Sequence, residues 1–550
     1  MKKACTVAIV DALGSGSGVR YSSRDAVGSG PRRVAGILES GGLLPKIMLA
    51  EDVINRPNLI DSYNLLMVSA MSTDIRAAKR IVEIWRSRRR DKPAIIGGPI
   101  ASQPKELLLS GYDTVVVGEG ENSLLQMLRT GLTNCTLSKQ FRRAILVDGI
   151  SQELEYGNQT LVRSLQHASF NYAQKRDVLN RHEPSTVCIV DYPSHLAMRF
   201  YVEVVRGCSN FLRTSIPLKD GKKCIDCQKC RSGEPNERIE CPTEIPPGCG
   251  FCDVPALFGP PRSRDASKIV EEVTGLVKSG VRRIVLSASD FLDYEREKLV
   301  APQLLTDPSY PPSNTNEIES LLSQLTSLPK RLSVPESDYV YMSVENIKSC
   351  LFDDEVASII AEYLPNSTIH LGCETGSEEH SKRLGRPSTP RQTLEAVKVA
   401  VRHGLRPYVY FIHGLPGQTA RTTRDTVELM QELFEAGTEK LTIYKFKPLP
   451  LSAFAKFPPA PPARMDKNSK KIERTTRRLN LESKSRLVGK TIDVIASASV
   501  REDRRDGTIT YPVMDGPVVL ISGETVREGE RLKVKITEVL SDRLVRGERS

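Results

Sequence analysis

No uninterrupted apolar stretch in this 550-residue chain approaches the roughly 20 residues that a membrane-spanning helix requires. An export signal is lacking too. In MKKACTVAIVDALG, Asp11 interrupts an apolar run too short for a signal core, and no export-type cleavage site follows. A cytoplasmic location with no membrane partner is therefore expected. Histidine is scarce, with seven in all and none in the first 150 residues, where Cys5 and Cys135 are also the only cysteines. A dinucleotide fingerprint is missing. The glycine-rich stretches GSGSG (14–18) and VGSGPRR (27–33) could present amides to phosphate, but neither opens a helix directly after a strand, so a plain loop is favoured. Acids are in deficit, giving a net charge of +11, which by itself points only weakly to a polyanionic partner.

What is present organises into several domains, as expected for this length at about 150 residues per domain. In residues 1–150 the apolar runs ACTVAIVD, KIMLA, NLLMVSA, AIIGG and TVVVG alternate with helical patterns such as DIRAAKRIVEIW. That alternation predicts a doubly wound domain with a parallel sheet. Residues 151–198 are polar and mixed, a connector. From 199 to 460, RFYVEVVRG, RRIVLSASD, YVYMSVENI, TIHLGCETG, PYVYFIHG and KLTIYKF are separated by helical segments. Six such units predict an open, partial (β/α)6 barrel. Residues 301–335, including DPSYPPSNTN, read as an insertion before its third strand. A surface excursion is favoured there over a substrate lid. After a proline-rich break, residues 461–486 are basic, with nine Lys or Arg against three acids between 464 and 486. Residues 487–550 alternate apolar and polar in short runs joined by glycine-rich turns, the pattern of a small closed antiparallel β-barrel.

Half of the twelve cysteines lie in CIDCQKCRSGEPNERIECPTEIPPGCGFC, from Cys224 to Cys252. With 37 surplus residues removed, Cys208, Cys249 and Cys252 form C-x3-C-x2-C. An inserted loop, 209–248, can leave its ends together at a closure cost that grows only slowly with length. Within it, Cys224, Cys227 and Cys230 form C-x2-C-x2-C, and Cys241 precedes a proline, a pattern like that of bacterial ferredoxins. A second iron–sulfur cluster is the leading reading of those four, with a zinc site as the alternative.

The split triad, with Phe251 before its last cysteine, resembles the cluster signature of the radical S-adenosylmethionine (SAM) superfamily. That resemblance implies a four-iron cluster held by Cys208, Cys249 and Cys252, leaving one iron for SAM. HLGCETGSEEHSKRLGRPSTP…YFIHGLPGQT resembles the second half of cobalamin-type and methylthio-type radical cores. It implies Glu374 at the ribose, Gly376 and Ser377 at the receiving turn, Arg386 at the methionine carboxylate, and Gly414 with Gly417 beside the adenine. Gln418 stands where relatives often have an acid, and SASD (287–290) replaces the familiar Gly-Gly-Glu. IIGGPIASQPKELLLSGYDTVVVGEGENSL resembles the cobalamin-binding domains that precede many such cores. Since no histidine is available there, Tyr21 or no protein ligand would serve the cobalt.

The last domain resembles TRAM, an OB-like β-barrel of RNA-modifying enzymes, which implies Arg501, Arg504, Arg505 and Lys533 as phosphate contacts. Together these resemblances imply a radical SAM enzyme that methylates RNA, tRNA above all, fed by an electron donor such as ferredoxin or flavodoxin. Methylthio transfer, a protein substrate and a non-catalytic RNA-binding iron–sulfur protein remain alternatives. Methylthiotransferases hold their auxiliary cluster in the amino-terminal domain through three cysteines, more than residues 1–150 contain here.

Overall fold

The computed structural model describes residues 5–550 apart from 21–22, 134, 148–149, 153–171 and 503–504. Tyr21 and Arg504 thus lie outside the described residues. The chain divides into two compact units. One comprises Met1–His195, Phe200–Val202 and Ser267–Ser279, the other Leu196–Arg199, Glu203–Ala266 and Gly280–Ser550. No helix among the described residues is long and apolar enough to cross a membrane.

Counting strands of three or more residues, the first unit contains β1 (Thr6–Asp11), β2 (Leu44–Leu49), β3 (Leu65–Ser69), β4 (Ala94–Gly97), β5 (Thr114–Val117), β6 (Ala144–Val147) and β7 (Ile150–Gln152). They lie in the order β7-β6-β5-β4-β3-β1-β2, parallel except for β7. The near-continuous burial of β1, β3, β5 and β6 is what helices on both faces produce. This is the doubly wound domain that the alternation predicts. The GSGSG loop follows β1, and its amides are already bonded within the protein. Gly14 and Gly16 donate to the two carboxylate oxygens of Asp74 (3.1 and 2.8 Å), and the Met71 amide donates there too (3.0 Å). In VGSGPRR, Arg32 is buried against Glu272 (2.7 Å). Cys5 and Cys135 are joined by a disulfide.

The second unit is built around β8 (Arg199–Arg206, less Phe200–Val202), β9 (Arg283–Ala288), β10 (Tyr341–Val344), β11 (Thr368–Glu374), β12 (Arg406–His413) and β13 (Lys440–Lys445). β8, β9 and β10 are neighbours in one sheet, and β11, β12 and β13 form another. Ile347, just past β10, bridges to Leu371 of β11 and links the two into a six-stranded partial barrel. Residues 301–335 carry regular structure of their own. Thr315–Thr326 is a helix that buries Ile318, Leu321, Leu322 and Leu325.

The basic segment is helical over Lys467–Ser485, started by Asp466, whose side chain accepts from the Ser469 amide. In its second half, Asn480 takes the role of a neighbouring strand beside β13, the edge of its sheet. Its Nδ2 donates to the Leu441 carbonyl (2.7 Å) and its Oδ1 accepts from the Leu441 amide (2.9 Å).

The chain ends in a closed barrel of β14 (Thr491–Glu502), β15 (Arg505–Pro512), β16 (Val518–Ser522), β17 (Arg531–Val539) and β18 (Leu544–Arg549), ordered β14-β15-β16-β18-β17. Ile495, Tyr511 and Val513 of this barrel pack with Ala197 and Tyr341 of the core. Asp515 crosses the same junction. Its carboxylate accepts from Thr368 (2.6 Å) and Tyr341 (3.3 Å) and pairs with Arg199 (3.3 Å). Those three are the first residues of their strands or the start of β8, so Asp515 closes the amino-terminal mouth of the core.

Burial opposes ionisation of Asp515, but Arg199, His370, the Thr368 hydroxyl and Arg283 outweigh it and hold the carboxyl far below its ordinary range. A depressed folded pKa stabilises above the unfolded value, near 3.9, and the stabilisation is lost as pH falls toward the folded value. Asp515→Ala is expected to lower stability by about 1–3 kcal/mol at neutral pH, read as a shift in denaturant midpoint, because it takes an acceptor from the buried Thr368 and Tyr341 hydroxyls. The difference from wild type should shrink on acidification below pH 4.

Candidate active site

Cys208 lies two residues beyond β8, at the carboxyl end of the strands and opposite the mouth that Asp515 closes. Asn210, 2% exposed, ties the divided motif together. Its amide donates to Cys208 Sγ (3.4 Å), while its side-chain nitrogen donates to Cys249 Sγ (3.3 Å) and to the Gly385 carbonyl (3.0 Å). Between Cys249 and Cys252, Gly250 donates to Leu384 and accepts from Phe454 (both 2.8 Å). A Cβ there would stand 2.5 Å from the Phe454 ring, so the turn tolerates only glycine. Cys252 feels both Cys249 and Cys208 electrostatically, which brings all three sulfurs into one site. Burial pushes the Cys208 thiol up to about 11 and the Cys252 thiol well above its ordinary value. Such sulfurs become thiolates by binding a metal centre. Among the described residues no group of three or more His, Cys, Asp or Glu closes on a point as a single metal ion requires. Thiolates at the corners of an iron–sulfur cube stand further apart than those around one ion.

A buried charge cage supports Cys208. Lys348 Nζ reaches Asp290 (2.8 Å), Asp293 (2.7 Å) and Ser209 Oγ (2.7 Å), and Arg296 pairs with Asp293 (2.8 Å). Desolvation disfavours the Lys348 charge, but the two aspartates outweigh it and raise the pKa. Asp290 is the acid of SASD, so the departure from Gly-Gly-Glu serves this cage.

Glu374 closes β11 after a bulge, in the left-handed region at φ 68°. Non-glycine residues adopt that conformation uncommonly, and the strain it carries is enriched at functional sites. Burial raises its carboxyl pKa, with Arg386 opposing. Arg386 stands 3.5 Å from Glu374, bonds the Gly372 carbonyl and points Nη1 at Cys249 Sγ (3.6 Å). Its Nε is buried without a partner, a donor left for an anionic group. Gly376 is required because a Cβ would lie 2.4 Å from Thr426 Cα. Ser377 begins the helix Glu378–Arg383. Gly414 and Gly417 both have positive φ and pack against Ala460 and His380, and Gln418 accepts from the Gly414 amide (2.7 Å). Gln418 thus holds the turn in the acid's place. A recess beside Gly376 and Ser377, lined also by Glu379, Arg391, Arg421 and Asp425, contains none of the cysteines.

In the insertion, Cys224 and Cys241 pack against one apolar cluster that includes Ile216, Ile245 and Phe454. Arg213, 8% exposed, is fixed by the carbonyls of Ile245, Arg238 and Ile239 and faces Cys241, Cys230 and Cys227. Burial pushes the Cys241 thiol up, but Thr243, the Ile245 amide and Arg213 outweigh it and leave it below its ordinary value. Of the sequence-derived phosphate contacts, Lys533 is exposed on β17, while Arg501 and Arg505 fall on paired β14 and β15. Asn210, Arg213, Asp293 and Lys348 are site residues that no motif marks. Only the nearness of the first two to Cys208 could have drawn notice.

The profile of the radical SAM superfamily matches residues 246–430. An uncharacterized protein of Methanopyrus kandleri is 40% identical over 98% of this chain and 95% of its own length. This chain belongs to the radical SAM superfamily. An uncharacterized protein of Methanocaldococcus jannaschii is 39% identical over 96% of this chain and 95% of its own. The ribosomal protein uS12 methylthiotransferase of Thermus thermophilus is 27% identical over 52% of this chain and 64% of its own. Among solved structures, the radical SAM methyltransferase TsrM of Kitasatospora setae, with cobalamin and a four-iron cluster bound, superposes with a TM-score of 0.52. It is 13% identical, covering 82% of this chain and 77% of its own, and it shares the fold. Membership makes this chain an enzyme that uses a four-iron cluster and SAM, and the buried thiols and the free donor of Arg386 suit both.

In the radical SAM core, replacing Cys208, Cys249 or Cys252 by Ala is expected to remove about four irons per chain and abolish deoxyadenosine formation. Retained SAM cleavage by Cys208→Ala would overturn the split triad.

Proposed function

We propose that this radical SAM enzyme modifies RNA, with tRNA as the leading substrate and carbon methylation as the reaction. The observation that carries the reading is a stripe of charge on the helix Lys467–Ser485. Lys467, Lys470, Lys471, Arg474 and Arg477 are exposed at spacings of three and four, on the face opposite buried Ile472, Thr476 and Leu479. Among the described residues none of the five forms an ion pair. Unpaired cations in a row suit a phosphate backbone, and the TRAM-like barrel with Lys533 follows directly in the chain.

When bound, the cluster supplies the electron that cleaves SAM to a deoxyadenosyl radical. The chain's own part is to hold the cofactor and orient it. Arg386 would hold the methionine carboxylate through its free Nε and Glu374 the ribose, while Lys348 fixes the loop carrying Cys208 through Ser209. In the insertion, Cys224, Cys227, Cys230 and Cys241 hold a second cluster, with the Arg213 charge favouring thiolates. Methylthio transfer is the second reading, favoured by the similarity to methylthiotransferases. Against it, the two cysteines of residues 1–150 described here are bonded to each other.

The sheet order of the first unit supports a ligand crevice at the switch point beside β1. Its residues do not suit a histidine-ligated cobalamin, because residues 1–150 contain no imidazole and Asp74 occupies the Gly14 and Gly16 amides. A cytoplasmic setting and a ferredoxin or flavodoxin donor complete the reading.

Removing residues 464–550 would also strip Asn480 from β13 and Asp515 from the core, so charge reversal is the cleaner test. Lys470→Glu with Lys471→Glu is expected to flatten the dependence of log tRNA affinity on log salt by about 0.7–0.9 per lost contact. An unchanged slope would favour a protein substrate. Changing Cys224, Cys227 and Cys230 together to Ala should lower iron content while SAM cleavage persists. Stoichiometric zinc in anaerobically prepared protein would replace the second cluster with a zinc site.

A further inference from the structure

An aromatic column climbs the inner face of β11, β12 and β13. His370 stacks on Tyr408 (centroids 5.4 Å apart, planes 2° apart), and the Tyr410 hydroxyl meets His370 Nδ1 (3.2 Å). Tyr444 lies parallel to Tyr410 (5.9 Å, 8°). Exposure rises along the column, from 4% at Tyr408 to 53% at Tyr444 near the carboxyl end of β13. The last ring is therefore covered on one side by Tyr410 and open to solvent elsewhere.

A lone exposed tyrosine is ordinary. This one is held parallel to a second ring, and an underused carboxyl stands near it. Glu345, one residue past β10, and Glu374 both lie within electrostatic reach of the Tyr444 hydroxyl. Ser287 donates to Glu345 (3.1 Å), and among the described residues Glu345 makes no other side-chain hydrogen bond. Burial brings His370 down to about 4, so its ring is neutral, and pushes Glu345 up to about 7, so the carboxyl beside Tyr444 is only partly ionised near neutral pH. Lys440 keeps most of its charge, but at the closed end of the column, where it lies over the Tyr408 ring (5.2 Å). The open end thus presents a flat ring and a hydrogen-bonding carboxyl, which suit a base better than a phosphate.

The charged stripe leads to the same rim. The helix bearing it packs on β13 through Asn480, and near its start Ser469 accepts from Gln418, just past β12. We propose that Tyr444 is the stacking surface for the RNA base brought to the SAM site, and that Glu345 hydrogen-bonds that base's edge. The phosphates would follow the helix while one base turns inward. This rests on the RNA reading above and assigns the residues that receive the base.

The test uses full-length, anaerobically reconstituted enzyme and unfractionated tRNA from Methanocaldococcus jannaschii. Binding is measured across a salt series and contact is mapped by ultraviolet cross-linking. At high salt, Tyr444→Leu is expected to weaken binding on the order of ten-fold with its salt slope unchanged, while Tyr444→Trp stays within about three-fold of wild type. Cross-links should fall on the peptide containing residue 444 in wild type and disappear in Tyr444→Leu. Wild-type affinity and cross-linking in Tyr444→Leu, with a salt slope still sensitive to Lys470→Glu and Lys471→Glu, would overturn the stacking assignment and leave the RNA reading standing. Salt-insensitive binding without cross-links in the wild type would overturn both.

Discussion

A carboxylate donated by the last domain seals the core. Asp515 meets the starts of β8, β10 and β11 through Arg199, Tyr341 and Thr368. Its backbone carbonyl also accepts from Arg406 at the start of β12. A carboxylate this deeply buried stays charged only while its donors remain in place. With the amino-terminal mouth so closed, the polar interior of the partial barrel opens at the end where Cys208, Glu374 and Tyr444 stand. The carboxyl-terminal barrel is therefore part of the core's architecture as well as its neighbour in sequence.

The opposite end is governed by the cost of holding sulfur and charge away from water. Cys208 is offset by a cage in which two cations and two aspartates neutralise one another, and Cys249 by Asn210 and Arg386. Each sulfur has a fixed polar neighbour that constrains its direction. The loop of 209–248 can then lengthen without loosening the site, because Asn210 and Gly250 anchor its two ends to the same turn around Leu384 and Gly385.

Much of this was legible in the sequence. The apolar runs predict β1 to β5 and the six strands of the partial barrel but pass over β6 and β7, and C-x3-C-x2-C predicts sulfurs that the fold does bring together across the insertion. The basic run was legible as charge, but its helix, buried through Ile472 and Leu479, depends on packing that composition does not display. Asp515 was illegible for a different reason. It lies 316 residues from Arg199, and nothing local distinguishes it from an ordinary turn aspartate in MDGP. Lys348 and Arg213 were missed likewise, since spacing rules find ligands that repeat in a pattern and miss single charges supplied from elsewhere.

The clamp between Asp74 and the loop after β1 has a wider consequence. A glycine loop with convergent amides at a switch point is a general trap for small anions. Here the chain carries its own permanent occupant, two oxygens on a buried side chain, so the loop is self-inhibited toward nucleotides and free phosphate. An incoming phosphate would have to displace a buried carboxylate from both amides, so this glycine pattern works as an internal fastening of the first unit.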